Sequence, residues 1–339
     1  MSRRLDSKPQ IWTLAADLGL PKSDRPSRTI LDFVVRGIRK IAKKFSCRNL
    51  DGLLVAVAGE VETTFEDIHS NDDLRKVQEK YIRKGESGFA NLEAELRGAK
   101  DFGITIRRVH REPWEPQFVS VIDCRGEKSF RSYFTKWHEL AHLLTLTPQM
   151  RLVFRRTHSS MAVQDPEERL MDAIAGEVGF LPDFLPNASG DVSFEMIEQI
   201  RQEYCPTASR QAAMIGIVKS LPQPCILLTA GLALRKDEES GASQMILDVG
   251  LVEPTPVLRA IHVTANVAAR DEGVLMHRQW RIPTESVITQ VFDSGGSGQA
   301  VEDLNWWRTS SGSQLKPCRV LVKARKEWDS VVALVIPKV

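Results

Sequence analysis

The sequence predicts an α+β protein in which a mainly helical N-terminal part carries a pair of strands and is followed by a β-rich C-terminal part. Apolar residues recur at helical spacing through much of the first hundred residues. Residues 104–109 and 118–124 instead alternate or are β-branched, as strands are. From residue 222 onward, most segments read as short strands separated by turn residues.

The composition is that of a globular protein. The chain has 339 residues, of which 42% are hydrophobic and 27% charged, close to the average of soluble domains. No segment approaches the roughly 20 apolar residues of a membrane-spanning helix, and the opening MSRRLDSKPQIW has no apolar signal region. We therefore expect a cytoplasmic location without a membrane partner. The five scattered cysteines are expected to be reduced thiols.

The first half of the chain divides into predicted helices around two strands. An amphipathic helix is predicted over residues 29–45, and further helices over residues 51–96, with Gly103 as a stop. Strands 104–109 and 118–124 are predicted to pair antiparallel. They lead into a helix that begins near Ser132 and ends near Thr145.

The second half begins with a helix whose start is marked by Asp165 as a cap and Pro166 in the first turn. Residues 193–221 hold two helical patterns separated by CPTA, which resemble a helix-turn-helix pair. The strand candidates that follow residue 222 are CILLTAGLAL, QMILDVGLV, LRAIHVTANVA, SVITQVF, CRVLVKA and SVVALVI. Loops are predicted at residues 295–298 and 309–313.

The segment WHELAHLL contains the motif HExxH, formed by His138, Glu139 and His142. Side chains four residues apart lie on one face of a helix, so both imidazoles can bind the same metal ion. Zinc is the usual ion, with another divalent ion such as Mn²⁺ as the alternative, and it acidifies a bound water molecule. Glu139 is then predicted to be the catalytic base that takes the proton of this water and passes it to a leaving amine.

A third metal ligand is expected downstream, where the candidates are Glu167, Glu168, Asp172 and His158. We favour Glu168, because it lies near the start of a helix and carries a carboxylate suited to zinc. The alternative role of Glu168 is that of a capping-box residue, which needs no metal. Asp172, one turn later, is predicted to orient a ligand imidazole by accepting a hydrogen bond from its second nitrogen.

The segments FTKWHELAHLL and ERLMDAIAGEVGFLP together resemble the ImmA/IrrE (DUF955) family of zinc metallopeptidases. That pattern is an HExxH helix followed by a helix with Glu, then Asn or Asp, a pair of small residues and a terminal Pro. The corresponding positions here are Glu168, Asp172, Ala175 with Gly176, and Pro182. Asp172 stands where Asn is commoner, and the spacing to Pro182 is one residue longer than expected. The resemblance covers residues 75–220.

The resemblance implies an HExxH zincin-like peptidase domain over residues 1–190, a helix-turn-helix-like segment over 191–221 and a β-rich, GAF-like sensor over 222–339. It also implies the substrate, a partner repressor of the helix-turn-helix type, cut in response to DNA damage, phage or a mobile element. Single-stranded DNA or a small molecule is the expected activator. The alternative is a non-catalytic DNA-binding or protein-binding regulator with a structural metal site.

Three secondary features carry weaker predictions. Cys124, at the end of strand 118–124, is predicted as an inhibitory fourth metal ligand, with an ordinary unligated cysteine as the alternative. The edge of that same strand is expected to pair with an extended substrate. Trp306 and Trp307, beside Arg308, are candidates for stacking on a base or ligand, or for a corner of the core.

Overall fold

The computed structural model describes residues 3–98, 102–146, 165–187, 190–234, 255–309 and 313–338. It contains many helices and two separate β-sheets, which confirms the predicted α+β class. The chain divides into two compact units. Unit 1 comprises residues 1–185 and 200–216, and unit 2 comprises residues 186–199 and 217–339.

Unit 1 is built mainly of helices around a three-stranded sheet. Its helices are α1 (Arg3–Asp6), α2 (Pro9–Asp17), α3 (Pro26–Lys44), α4 (Leu50–Glu60), α5 (Asn71–Ile82), α6 (Leu92–Glu95), α7 (Ser132–Leu144) and α8 (Pro166–Val178). Its strands are β1 (Thr63–Ile68), β2 (Gly103–Arg107) and β3 (Phe118–Asp123). Helices α9 (Phe194–Tyr204) and α10 (Arg210–Ser220) are divided between the two units.

The predicted helices 29–45 and 132–145 are confirmed as α3 and α7. The start of α8 also follows the prediction, since the Asp165 carboxylate accepts a hydrogen bond from the Glu167 N–H at 2.9 Å. Residues 51–96 are not all helical, because β1 lies among them. The residue before the strand segment, Glu62, has φ of 57°, which ends α4 and redirects the chain.

The strand order in unit 1 is β1-β3-β2, with β1 parallel and β2 antiparallel to β3. The antiparallel pairing of β2 with β3 confirms the prediction. The expectation that β3 offers an edge to a substrate is wrong, because β3 is the central strand and pairs on both sides. In the described sheet the outer strands are β1 and β2.

Unit 2 is an antiparallel sheet with short helices. Its strands are β4 (Ile226–Ala233), β5 (Val257–Ala265), β6 (Ser297–Asp303), β7 (Arg319–Glu327) and β8 (Ser330–Pro337), and its helices are α11 (Val267–Asp271) and α12 (Val287–Ser294). The strand order is β5-β4-β8-β7-β6. The core between the sheet and α12 contains Val287, Ile288, Val291 and Trp307, all buried.

Two predictions in unit 2 are wrong. Residues 286–292 form helix α12 and not a strand, because the Ser286 hydroxyl caps the Ile288 N–H at 3.2 Å and the buried apolar residues recur at helical spacing. The loop predicted at 295–298 ends at Gly296, and Ser297 already belongs to β6. The strand candidate QMILDVGLV lies outside the described residues.

Glycine at position 216 allows α10 to pack closely within unit 1, because a Cβ atom there would lie 2.0 Å from the Phe180 ring. We expect Gly216→Ala to lower the free energy of unfolding by about 1–3 kcal/mol, since the ring must move. Gly37, inside α3, is the matched control because nothing lies within 4 Å of its added Cβ. Gly37→Ala should instead raise stability by about 0.5–1 kcal/mol. Urea denaturation measures both, and equal effects would contradict the packing account.

Candidate metal centre

Helix α7 presents the two motif histidines on one partly accessible face. Their side chains are 12% and 14% exposed, and their Nε2 atoms lie 3.2 Å apart. The opposite side of the helix is anchored by Trp137, which is fully buried. Tyr133, one turn earlier, donates a hydrogen bond from Oη to the Gly179 carbonyl at 2.6 Å, which fixes α7 against the end of α8.

Helix α8 brings the Glu168 carboxylate to the same point. Glu168 Oε2 lies 3.1 Å from His138 Nε2, and Glu168 Oε1 lies 3.4 Å from His142 Nε2. The first turn of α8 is capped by Asp165. The structure therefore places three of the sequence-predicted ligands, His138, His142 and Glu168, within one group whose ligand atoms all lie within 4.8 Å of one another.

The spacing of the three ligand atoms suits a tetrahedral metal ion. Zinc bonds of about 2.0–2.1 Å at tetrahedral angles put neighbouring ligand atoms about 3.3–3.4 Å apart. The three observed distances are 3.1, 3.2 and 3.4 Å. Two neutral nitrogens and one carboxylate are also donors that zinc prefers. The residues present therefore fit the ion that the motif predicts.

Asp172 lies behind the first imidazole. Its Oδ1 atom is 2.9 Å from His138 Nδ1, on the ring edge opposite the Nε2 atom that faces Glu168. A carboxylate at this position favours a proton on Nδ1, which leaves the Nε2 lone pair available for a metal. This is the placement that the sequence predicts for Asp172.

Glu139 is buried against the sheet. The residue is 1% exposed, and its Oε2 atom accepts a hydrogen bond from Thr105 Oγ1 at 2.7 Å. Thr105 also shares a 2.7 Å hydrogen bond with Ser120 on β3. Sequence reasoning missed both hydroxyl residues, although polar residues inside the β2 and β3 patterns are a signal of buried partners.

Close packing between α7 and β2 makes this contact possible. A Cβ atom at Gly103 would lie 2.7 Å from Thr135 Cγ2 and 3.3 Å from Glu139 Oε1. Gly103, predicted as a helix stop, is instead the first residue of β2 and packs closely against α7.

Cys124 is placed in a second group of side chains. It is 5% exposed and lies with Asp67 and His69, so that one ligand atom from each is within 4.8 Å of the others. Burial raises the pKa of the Cys124 thiol to about 11. Its assignment as an inhibitory ligand of the histidine centre stays a prediction.

Unit 2 has a pocket at the predicted tryptophan pair. Trp306 is 44% exposed and lines this pocket together with Arg281 and Arg308, whereas Trp307 is fully buried in the core. Trp307 therefore lies in the core, as the alternative prediction has it, and a stacking role for Trp306 stays a prediction. In the helical pair, α10 buries Ala213, Met214, Ile217 and Val218, as a packing helix does.

Comparisons with known proteins add little. No family model matches the chain, and no curated protein matches it. Among solved structures, it is similar to a Mycobacterium tuberculosis transcriptional regulator, with a TM-score of 0.32 and 10% sequence identity over 79% of this chain and 89% of that chain. At that score the similarity supports no conclusion about function. In the described part of the chain, no helix is both long and apolar enough to cross a membrane.

The contact between Asp172 and His138 predicts a measurable effect on metal affinity. Asp172→Ala should weaken zinc binding by about 10–100-fold, because the imidazole loses the carboxylate that orients it. Glu177, exposed on the same helix, is the matched control, and Glu177→Ala should leave the affinity unchanged. Competition with a chromophoric chelator gives both dissociation constants. Equal zinc affinities in the two variants would show that Asp172 does not contribute to metal binding.

Proposed function

We propose that this protein is a zinc-dependent endopeptidase of the ImmA/IrrE type. In this proposal it cleaves a partner transcriptional repressor in response to a stress signal, such as DNA damage, phage or a mobile element, and so relieves repression. The observation that carries the proposal is the convergence of His138, His142 and Glu168 at the spacing of zinc ligands, with Glu139 on the same helix.

The proposed chemistry assigns a role to each of these residues. A bound zinc ion would supply a Lewis acid that polarises the scissile carbonyl and acidifies a water molecule. The histidines and Glu168 hold the ion, and Asp172 keeps the His138 ring in position. Glu139 takes the proton of the attacking water and delivers it to the leaving amine. Because Glu139 is almost fully buried, its proton comes from molecules bound at the centre and not from bulk solvent.

Thr105 is a positioning residue for this base. Its hydroxyl donates a hydrogen bond to Glu139 Oε2 at 2.7 Å, which restrains the plane of the carboxylate. A hydrogen bond to a buried carboxylate also offsets part of the cost of burying its charge. The Ser120 hydroxyl lies 2.7 Å from Thr105 Oγ1, so the series of hydrogen bonds extends to the central strand β3.

The identity of the substrate as a helix-turn-helix repressor rests on the ImmA/IrrE resemblance of the motif segments.

Unit 2 is the proposed sensor. The pocket lined by Trp306, Arg281 and Arg308 combines an aromatic face with two guanidinium groups. Such a surface suits an anion with a planar ring, which includes both single-stranded DNA and a nucleotide-like small molecule. This chemistry supports the GAF-like sensor proposal.

Replacement of Glu139, the proposed base, distinguishes a peptidase from a non-catalytic binding module. Glu139→Gln should retain zinc and partner binding but lower the cleavage rate at least about 10²-fold, because the amide cannot accept the proton. Gel electrophoresis of a helix-turn-helix repressor, the proposed substrate, after incubation with each variant measures the rate. Glu177→Gln serves as the control and should cleave normally.

Two results would contradict the proposal. If purified zinc-loaded protein leaves the repressor intact with and without single-stranded DNA, the chain is a binding module with a structural metal. If it instead degrades denatured, unrelated proteins at comparable rates, it is a general degradative protease.

Substitution of the positioning residue tests the Glu139 contact. Thr105→Val should lower kcat by about tenfold or more while zinc affinity stays unchanged, because only the hydroxyl that holds Glu139 is lost. It should also shift the acidic limb of the pH profile of kcat/KM, which reports the base. Thr105→Ser should restore both. A Thr105→Val enzyme with normal kcat and pH profile would show that the hydroxyl plays no part.

A further inference from the structure

The ends of two parallel strands bring a second set of metal-binding side chains together. Asp67 lies near the end of β1, His69 follows that strand, and Cys124 follows β3. One ligand atom of each lies within 4.8 Å of the other two. The ends of β1 and β3 are held in register because the Cys124 N–H donates a hydrogen bond to the Ile68 carbonyl at 2.8 Å.

The three side chains share one face of the sheet. Side chains alternate along a strand, so Asp67 and His69 lie on the same face. In the parallel register Asp67 pairs with Ile122, which puts Ile122 and Cys124 on that face as well. The convergence therefore follows from the pairing of β1 with β3 and not from a chance contact of loops.

We propose that Asp67, His69 and Cys124 form a second divalent-cation site that binds zinc or a similar thiophilic ion. A thiolate, an imidazole and a carboxylate are each established zinc ligands, and a water molecule would complete four-coordination. Sulfur favours zinc over magnesium, calcium or manganese, which prefer oxygen ligands.

The surroundings of this second site are compatible with a cation. Cys124 is a free cysteine and is not in a disulfide. Lys136 Nζ lies 2.7 Å from Asp67 Oδ2, which leaves the other carboxylate oxygen for a metal. Asp123 is directed elsewhere, since its oxygens pair with Arg125 and Lys128.

Lys136 links the second site to the proposed catalytic helix. It belongs to α7, two residues before His138. A dication at Asp67 competes with the lysine charge for the same carboxylate, so occupancy alters one of the contacts that fix α7. This coupling, though not the site itself, rests on the proposed function.

Cobalt titration of the metal-free full chain tests the second site, because only this site contains sulfur. The wild type should bind two equivalents of Co²⁺ and develop a thiolate-to-cobalt charge-transfer band in the near ultraviolet. Cys124→Ser should abolish the band and remove one equivalent. Cys47→Ser, which changes another thiol of unit 1, is the matched control and should keep the band.

Two further variants make the outcome independent of folding and of peptidase activity. His69→Ala changes an exposed side chain and should weaken the band-forming site by about tenfold or more. His138→Ala should keep the band while the other equivalent is lost, even if no protein substrate is ever cleaved. A wild type without the band, or a band that persists in Cys124→Ser, would overturn the second site.

Discussion

The candidate centre depends on how closely α7 can approach its neighbours. Glycine stands at both contact points: a Cβ at Gly103 would lie 2.7 Å from Thr135, and one at Gly179 would lie 2.9 Å from the Trp137 ring. Since packed interiors tolerate few such overlaps, these two glycines set the distance from α7 to the sheet and to the end of α8. The positions of both histidines and of Glu168 follow from that distance.

The residues that α7 contributes differ in burial. The histidines lie at a partly exposed surface, whereas Glu139 lies against β2 with almost no exposure. A carboxylate in that environment needs hydrogen-bond partners, and Thr105 provides one. Thus the same helix carries two partly exposed candidate ligands and one shielded carboxylate, which is the proposed base.

The sequence predicts the local features of the site well. Helical spacing puts His138 and His142 on one face of α7. Asp165 caps the start of α8, as the sequence predicts. Features that depend on distant pairing are harder to predict. The β1 strand lies within residues 51–96, for which the sequence predicts helices, and the cluster of Asp67 with Cys124 arises only because β1 pairs parallel with β3 across more than fifty residues of chain. Periodicity within a segment carries no information about such pairing.

The most direct test is anomalous diffraction at the zinc absorption edge from crystals of the full chain grown with zinc. The proposed zinc centre predicts an anomalous peak bonded to His138 Nε2, His142 Nε2 and a Glu168 oxygen, with Asp172 still hydrogen-bonded to His138 Nδ1. Density in which these side chains point into separate environments, with no peak between them despite supplied zinc, would contradict it.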